Sequence, residues 1–289
     1  MINLKPHISR IDKSFKEDLT RNYQLTIQLS LDGFSFVVYS TDKQRFIFLE
    51  HYLFHQVQEV TRLAAMIDEV ILKRQWLAYA FQNVTVLVEN ESNVLVPMPL
   101  FDEKEKGSYL AFAQEFVENS RIVYDRLKNN ESYNVYYLPH IFVSKIKDHW
   151  ANATIVHSSS VLIESLLIEN KNKGSEATVF VNVHKNRLEF VVIKNEKLLF
   201  YNTFKFQTKE DFVYFLLFSM EQLHLNPEVV PLYFMGSIEE NSEIFTLTER
   251  YMRYLSFVER NKKLNYSYLL EEIPFHKHYL LYHTQRCEL

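Results

Sequence analysis

The sequence predicts an α/β protein built from two similar units, each with a mixed sheet. The apolar stretch around Phe36-Val37-Val38 returns in the second half as Phe190-Val191-Val192. Each copy alternates apolar and polar residues on both sides of a turn, which is typical of a hairpin followed by a third strand. The chain has 289 residues, and this length is usual for about two domains. We therefore expect one fold to occur twice.

The spacing between the copies extends the comparison beyond the hairpins. Phe46 and Tyr52 lie at the same spacing from Phe200 and Phe206, so we expect these residues to correspond. The pair Asp32-Gly33 is a strong signal for a tight turn in the first hairpin. The stretch from Thr26 to Phe36 is two residues shorter than the stretch from Thr178 to Phe190, so we expect the first hairpin to be two residues shorter than the second. A difference of two residues keeps the strand faces in phase, because the strand period is two.

Composition favours a cytoplasmic globular protein. Hydrophobic residues make up 47% of the chain, and the net charge of −4 gives no general attraction for nucleic acid or anionic membranes. The single cysteine, Cys287, excludes a disulfide within the chain and fits a reducing compartment. Apolar runs are much shorter than the roughly 20 residues of a membrane-spanning helix, so no membrane insertion is expected.

Periodicity and turn residues give the order of elements in each half. In the first half we predict a hairpin over 26–39, strands over 45–49, 84–88, 94–97, 134–138 and 153–156, and helices over 57–81, 108–117, 141–150 and 161–169. In the second half we predict strands over 177–183, 187–193, 197–204, 230–235 and 255–258, and helices over 210–223 and 243–252. The polar break 171–175 contains one glycine, so we predict subdomains 1–173, which includes an N-terminal arm, and 174–289.

This order of elements resembles the ribonuclease-H-like unit as duplicated in the actin-like ATPase superfamily. The run from Val135-Tyr136-Tyr137-Leu138 through 162–166 into Val179 is similar to the pilus-assembly and cell-division branch. The whole chain is also similar to a Bacteroidetes family of unknown function with that fold. The resemblance implies two ribonuclease-H-like subdomains with nucleotide held between them by three glycine-bearing loops.

The resemblance also implies which residues would form a nucleotide cleft. The first loop contains Asp32 and Gly33, adjacent here where the family has a residue between them. In the second loop Asn182 stands where the family has a metal-ordering Asp, and His184 where it has Gly, with Lys185 next. A side chain in place of that Gly prevents close contact of the backbone with phosphate. The adenosine loop keeps one glycine, in Gly236-Ser237.

Four other residue groups have both a functional and a structural interpretation. His276, His278 and His283 could begin a metal site, but they lack a matching Cys or acidic signature, so we predict no metal. His157 with Ser158–Ser160 suggests a nucleophile, but no Gly-x-Ser-x-Gly elbow is present and serines before an apolar run are typical helix caps. Asp32 could serve a two-metal nuclease, but the corresponding second turn has no carboxylate. The last group combines basic and aromatic residues that could bind single-stranded nucleic acid, although a solvated face is favoured: Arg250, Tyr251, Arg253, Tyr254, Arg260, Lys262, Lys263 and Tyr266.

Together these observations predict an actin-like protein without catalytic residues and without a cofactor. Its expected role is a binding or scaffold module for a protein partner or for copies of itself, with no nucleic acid or membrane partner. The alternative is a divergent nucleotide-binding protein or weak ATPase that uses Mg-ATP, with Asp32, Gly33, Lys185 and Gly236 in the cleft between subdomains.

Overall fold

The computed structural model describes residues 5–30, 33–54 and 60–289, and the chain divides into two compact units. The first unit comprises Met1–Leu162, Lys262–Ile273 and Leu280–Leu289, and the second comprises Ile163–Asn261 and Pro274–Tyr279. The predicted subdomain limits at 173 and 174 stay a prediction. No helix in the described residues combines the length and apolar character that crossing a membrane requires.

The described residues of the first unit form nine strands and the helices packed on them. In chain order these are β1 (Ile8–Ile11), β2 (Tyr23–Ser30), β3 (Gly33–Ser40), β4 (Arg45–Leu53), α1 (Val60–Lys73), β5 (Asn83–Val88), β6 (Asn93–Pro97), α2 (Lys106–Ala113), β7 (Ser120–Leu127), β8 (Ser132–Pro139), α3 (His140–His149), β9 (Thr154–His157) and the start of α4 (Ser158–Glu169). The first residues of the predicted helix 57–81 lie outside the described part, and that helix ends earlier than expected, at Lys73.

The main sheet of the first unit has the order β1-β4-β3-β2-β5-β9. Strands β1 to β4 pair antiparallel, whereas β5 and β9 run parallel to β2. One face packs beneath α1 and α3, where the core includes Phe36, Phe48, Ile67 and Trp76. This face buries rings in edge-to-face contacts, such as Phe48 against Trp76 at 5.1 Å between centroids.

The opposite face of the same sheet is covered by a C-terminal segment of the chain. This segment includes α7 (Tyr268–Glu271) and α8 (Tyr279–His283), which sequence patterns left undefined. Phe46 is fully buried on this face, stacked on Tyr266 at 5.5 Å and edge-on to Tyr282 at 5.0 Å. Its backbone N–H donates to Asn265 and its carbonyl accepts from Ser267. The hairpin strand β3 is therefore buried on both faces, not on one as the alternation predicted.

A separate three-stranded sheet with the order β6-β8-β7 completes the first unit. Helix α2 packs on it, and a small apolar core forms around Leu110, Val135 and Tyr137. Strand β7 was missing from the predicted elements because Arg121, Asp125 and Arg126 leave only three consecutive apolar residues, 122–124. The predicted helix 108–117 is shorter and begins earlier, at Lys106.

The second unit contains one five-stranded sheet with two helices of more than one turn in addition to the end of α4. In chain order its elements are β10 (Thr178–Val183), β11 (Arg187–Lys194), β12 (Lys197–Lys205), α5 (Lys209–Gln222), β13 (Leu232–Gly236), α6 (Glu243–Glu249) and β14 (Leu255–Phe257). The sheet order is β12-β11-β10-β13-β14. A capping box of Thr208 and Asp211 begins α5, whose inner face packs Phe212 and Leu216 into the core.

The strand order β4-β3-β2-β5-β9 in the first main sheet matches β12-β11-β10-β13-β14 in the second, and the strand pairing corrects the alignment made from sequence. Ile27 lies opposite Phe36, and Val181 lies opposite Phe190. The hairpin of β2 and β3 therefore has the same length as the hairpin of β10 and β11. The predicted two-residue deficit is therefore wrong, and Gln28, not Asp32, occupies the position of Asn182.

The third strands differ from the predicted alignment as well. Val38 pairs with Phe48 and Val192 with Phe200, so Phe48, not Phe46, corresponds to Phe200. The reason is the connection before the third strand, because residues 41–44 join β3 to β4 whereas two residues, 195 and 196, join β11 to β12. Each third strand also has a bulge one residue from this pair.

Candidate functional site

Two nucleotide-binding residues were predicted in the first hairpin, Asp32 and Gly33, and the structure describes the second of them. Asp32 lies outside the described residues. Gly33 is the first residue of β3, where its N–H donates to Oγ of Ser30 at 3.1 Å. A Cβ at Gly33 would collide with the backbone carbonyl of Tyr52 on β4. The close approach of β4 is a sufficient reason for glycine at this position, so no bound ligand is needed to explain it.

The second hairpin carries a buried polar cluster at the turn-proximal end of its strands, which we call the hairpin cluster: Asn182, His184, Arg187, Glu189 and Tyr201. Asn182 and Glu189 lie opposite each other on β10 and β11. Nδ2 of Asn182 donates to Oε2 of Glu189 at 2.7 Å, and Nε2 of His184 bonds the same oxygen at 2.8 Å. The other carboxylate oxygen, Oε1, accepts from the Tyr201 hydroxyl at 3.0 Å. Both oxygens of Glu189 therefore have partners inside the protein.

Electrostatics keep this buried carboxylate ionised. Burial by itself raises the pKa of Glu189, but the hydrogen bond and charge of His184, the charge of Arg187 and the Asn182 amide outweigh it and lower the pKa to about 2. The Glu189 side chain is 3% exposed and the His184 side chain 11%. A carboxylate in this state is a structural group whose charge is balanced locally.

The glycine of the predicted adenosine loop closes the same cluster from β13. Gly236 is the last residue of β13 and pairs with Val183 of β10. Its φ of +86° is in the left-handed region, and a Cβ there would collide with the Val183 carbonyl and lie 2.6 Å from Oδ1 of Asn182. The N–H of Ser237 donates to that same Val183 carbonyl at 2.7 Å. Asn182, His184, Gly236 and Ser237 therefore lie together, and Lys185 is exposed in the turn between β10 and β11.

Two members of the hairpin cluster could not be found from the motif comparison. Tyr201 lies on β12, and its contact with Glu189 depends on the bulged register between β11 and β12. Arg187 is the first residue of β11 and has no counterpart in the motif comparison, and it is 5% exposed in the structure. A buried Arg and Glu separated by one residue on an otherwise apolar strand is the signal that could have found the pair.

A second buried polar cluster lies in the first unit, around the serines that suggested a nucleophile. The hydroxyl of Ser160 donates to Oδ2 of Asp125 at 2.6 Å, and the ring of His157 lies 2.6 Å from the Ser159 hydroxyl. Both serines are fully buried and bonded to Asn134. The predicted capping role is wrong for Ser159, whose N–H donates to Nδ1 of His157. With no exposed hydroxyl, this cluster ties β7, β8, β9 and α4 together.

The remaining candidates have structural roles where they are described. Nε2 of His276 donates to the Ile238 carbonyl at 2.9 Å, and its ring stacks on Phe257. His276 and His278 lie in a short 3-10 helix, not in the extended strand that the metal interpretation required. Within the described residues no group of three or more His, Cys, Asp or Glu side chains could hold a metal ion.

The basic and aromatic run at 250–266 is divided between the two units. Arg253 lies over the ring of Tyr254 at 5.6 Å, and Arg260 over the ring of Phe275 at 5.2 Å. Tyr266 stacks on Phe46 in the first unit. Two of the five cations therefore lie against aromatic rings of the chain itself.

The fold places the chain among proteins with the actin-like ATPase architecture, as the resemblance predicted. A Bacteroides thetaiotaomicron protein with actin-like ATPase fold and unknown function superposes with a TM-score of 0.77 at 21% identity, over 89% of this chain and 97% of that one. A chain of the PilM–PilN type IV pilus biogenesis complex superposes with a TM-score of 0.63 at 11% identity, over 92% and 98% of the two chains. At these identities the likeness establishes the fold alone.

The family follows from the sequence match. The chain belongs to the family described as "Protein of unknown function (DUF3822)", whose model matches residues 12–255. No curated protein matches the chain. The predicted membership of a family of unknown function with an actin-like fold is confirmed, and so is the fold class of two ribonuclease-H-like subdomains with mixed sheets.

Proposed function

We propose that this chain is a catalytically silent actin-like module that binds another protein and does not hydrolyse ATP. The observation that carries the proposal is the hairpin cluster, which fills the second phosphate loop with side chains. Asn182, His184 and Glu189 bond one another there, and each is buried or nearly so. A loop that holds phosphate needs its backbone N–H groups exposed and unobstructed.

The proposal gains support from the residues that stand at the metal-ordering positions. Asn182 holds one such position in the second hairpin, and the register puts Gln28 at the equivalent position of the first. A neutral amide lacks the negative charge with which a carboxylate orders the water shell of Mg²⁺. Nε2 of Gln28 is bonded to Glu89 at 3.2 Å, so this amide also has an internal partner.

A binding role is supported by what this fold does elsewhere. A chain of the same architecture occurs in the PilM–PilN complex, which is a complex of type IV pilus biogenesis. Fold alone does not fix a partner, so no pilus component is transferred to this chain. The chain contains a single cysteine, Cys287, so no disulfide can form within it, and this supports a location in a reducing cytoplasm.

A thermal shift experiment with Mg-ATP tests the catalytic half of the proposal. A ligand at 100 times its Kd stabilises a protein by about 2.7 kcal/mol, which raises the melting temperature by several degrees. We expect no rise with Mg-ATP, Mg-ADP or Mg-GTP at millimolar concentration. A nucleotide-dependent rise that is lost in Lys185→Ala would support the divergent nucleotide-binding alternative instead.

The binding half needs a purified partner. Proteins captured by the full chain from its source cells would be expressed separately and mixed with it at known concentration. We expect at least one to form a stoichiometric complex by size-exclusion chromatography with light scattering. A chain that forms no complex with any reconstituted candidate, and no oligomer, would contradict a binding role.

A further inference from the structure

The two main sheets differ at one edge, although their strand order is otherwise the same. In the first unit β1 pairs antiparallel with the outer edge of β4, from Ile8 opposite His51 to Ile11 opposite Phe48. In the second unit β12 holds the position of β4, and among the described residues no strand pairs with its outer edge. The second sheet therefore presents an open edge where the first sheet is covered.

The backbone of β12 is oriented for pairing at this edge. In β4 the carbonyls of Ile47 and His51 point outward, where they accept from Asp12 and His7 that flank β1. Phe200 corresponds to Phe48, which lies between the outward positions 47 and 49 of β4. The backbone N–H and carbonyl groups that point away from β11 are therefore those of Leu199, Tyr201 and Thr203. The N–H of Thr203 indeed donates away from the sheet, to the side chain of Asn202 at 2.9 Å. An incoming strand would take over that N–H from the Asn202 amide.

Beside this edge lies an exposed aromatic surface on α5, continuous with β12. Phe204 of β12 stacks on Phe215 of α5 at 5.0 Å, and Tyr214 contacts Phe215 at 5.4 Å. Tyr214 in turn stacks on Phe218 at 5.8 Å, and these two rings are 60% and 42% exposed. Exposed aromatic rings in contact with each other are typical of interaction surfaces.

The charges of β12 decide between possible occupants. Its nine residues include Lys197 and Lys205 at the two ends and no carboxylate. Pairing with β12 of a second copy, centred on Tyr201, would place Lys197 opposite Lys205 of that copy, and like charges directly opposite destabilise a strand pair. The N-terminal segment of a second copy is also a poor match, because it carries Lys5, Arg10, Lys13 and Lys16.

We propose that β12 and the aromatic face of α5 bind an extended segment of a different protein, which adds as a strand to the open edge. The segment pairs antiparallel with Leu199–Thr203 as β1 pairs with β4, places apolar side chains against Tyr214 and Phe218, and carries Asp or Glu at the two ends. This inference rests on the proposed function, because it assigns a surface and a partner chemistry to the binding module.

The experiment uses the full chain as bait for a displayed library of random nonapeptides, the length of β12. We expect enrichment of peptides that alternate apolar residues, lack central proline and carry acidic ends. Synthetic copies should bind about tenfold more weakly to the double variant Tyr214→Ser/Phe218→Ser. The exposed Tyr268→Ser in the first unit is the matched control and should bind like the natural chain.

Two further variants separate the parts of the proposal. Thr203→Pro removes an outward N–H and should abolish binding, whereas Lys197→Glu/Lys205→Glu should switch the selected peptides to basic ends. Each variant is first checked for a cooperative melting transition close to that of the natural chain, and the charge-reversed pair tests the site even if the proline variant unfolds. Peptides that bind the double aromatic variant equally well, or no enrichment at all, would overturn the site.

Different results would distinguish pairing of β12 with a second copy from failure of the proposed function. A concentration-dependent dimer of the natural chain in sedimentation, lost in Thr203→Pro, would mean that β12 pairs with a second copy and would overturn the proposal. Stabilisation by Mg-ATP would refute the silent module whatever the peptides do. Failure of peptide selection without any nucleotide effect would refute the β12 site and leave the silent module standing.

Discussion

Glu189 is the buried carboxylate to which Asn182, His184 and Tyr201 of the hairpin cluster are bonded. It is an ionised group away from water whose two oxygens take three hydrogen bonds, from Asn182, His184 and Tyr201. Breaking a buried ion pair by removing one partner is strongly destabilising, because the other charge stays behind. Here the charges left behind are those on His184 and Arg187.

The first prediction concerns Glu189→Gln. Because the pKa of Glu189 falls from 4.5 to about 2 in the folded protein, its stabilising effect is complete above pH 4.5 and is lost as the pH falls through 2. We expect the variant to lose about 3 kcal/mol of unfolding free energy at pH 7, and progressively less toward pH 3. Urea titrations followed by circular dichroism measure this, with the exposed Glu210→Gln as control. A deficit that is the same at both pH values would contradict the account.

Asp125 gives the opposite pH dependence. Burial raises its pKa to about 6, although bonds from Ser160, the His157 N–H and Tyr136 favour the ionised form. The stabilising effect of the protonated carboxyl is therefore complete below pH 3.8 and is lost as the pH rises through 6.

The second prediction follows for Asp125→Asn, a neutral group whose Oδ1 can accept from Ser160 and the His157 N–H while its Nδ2 donates to the Tyr136 hydroxyl. Relative to the natural chain, the variant should gain about 3 kcal/mol of unfolding free energy between pH 4 and pH 7. The measurement is the difference of urea midpoints across that range. A difference that does not change with pH, or that grows toward acid, would show that Asp125 does not titrate in this way.

Two glycines with positive φ provide a matched test of the packing around Asn182. A Cβ at Gly236 meets the Val183 carbonyl and the Asn182 side chain, whereas a Cβ at Gly174 meets nothing within 4 Å. We expect Gly236→Ala to cost more than about 2 kcal/mol and Gly174→Ala about 1 kcal/mol, since the second carries backbone strain alone. Equal losses would show that the contact with Val183 and Asn182 adds nothing.

At the level of elements, alternate residues of β12 serve different neighbours. The backbone N–H groups of successive residues in a strand point to opposite sides. The N–H of Thr203 points away from the sheet, and the N–H of Phe206, three residues later, donates to the Asn186 carbonyl on the β11 side. Asn202 is therefore an inward position that faces β11, so a proline there removes a bond of the sheet.

The fourth prediction compares the two positions directly. Asn202→Pro should lower the melting temperature by roughly 10 °C, because a ladder bond is lost inside the sheet, and Thr203→Pro by only about 2 °C. Differential scanning calorimetry on both variants measures the two shifts. Equal shifts would contradict the assigned orientation of β12 and with it the open edge.

The elements also show how much of the fold the sequence could predict. Strands with long apolar runs, such as β10 and β11, were found because fully buried strands have a strong compositional signal. Strand β7 was missed because it contains Asp125, whose burial depends on partners from β8, β9 and α4. Helices α7 and α8 have four and five residues, too few for a helical period to be recognised.

The candidate site was predictable only in part, for a related reason. Asn182 and His184 were found because they replace the residues of a local motif, and their own contacts with Glu189 stay within one hairpin. Tyr201 comes from a third strand, so its place depends on the bulge between β11 and β12. Gln28 was missed because the alignment shortened the first hairpin by two residues and took Asp32 as its metal-ordering residue, whereas the strand pairing gives both hairpins the same length.

For the whole molecule, the fold and the site lead to different expectations. The actin-like architecture is shared with proteins of unlike roles, so it cannot by itself assign ATP hydrolysis to this chain. The hairpin cluster and the amides Asn182 and Gln28 favour a module that has kept the architecture without the chemistry. The net charge of −4 gives no general attraction for acidic segments, so the proposed binding of one depends on the local charges of β12, Lys197 and Lys205.

The central claim is that the second hairpin is closed to phosphate by its own side chains. Isothermal titration of Mg-ATP into the full chain at pH 7.5 tests it most directly, beside the variant Asn182→Asp/His184→Gly, which restores the residues of a phosphate loop. We expect no saturable heat for the natural chain. A saturable one-to-one binding of Mg-ATP by the natural chain, weakened by Lys185→Ala, would contradict it.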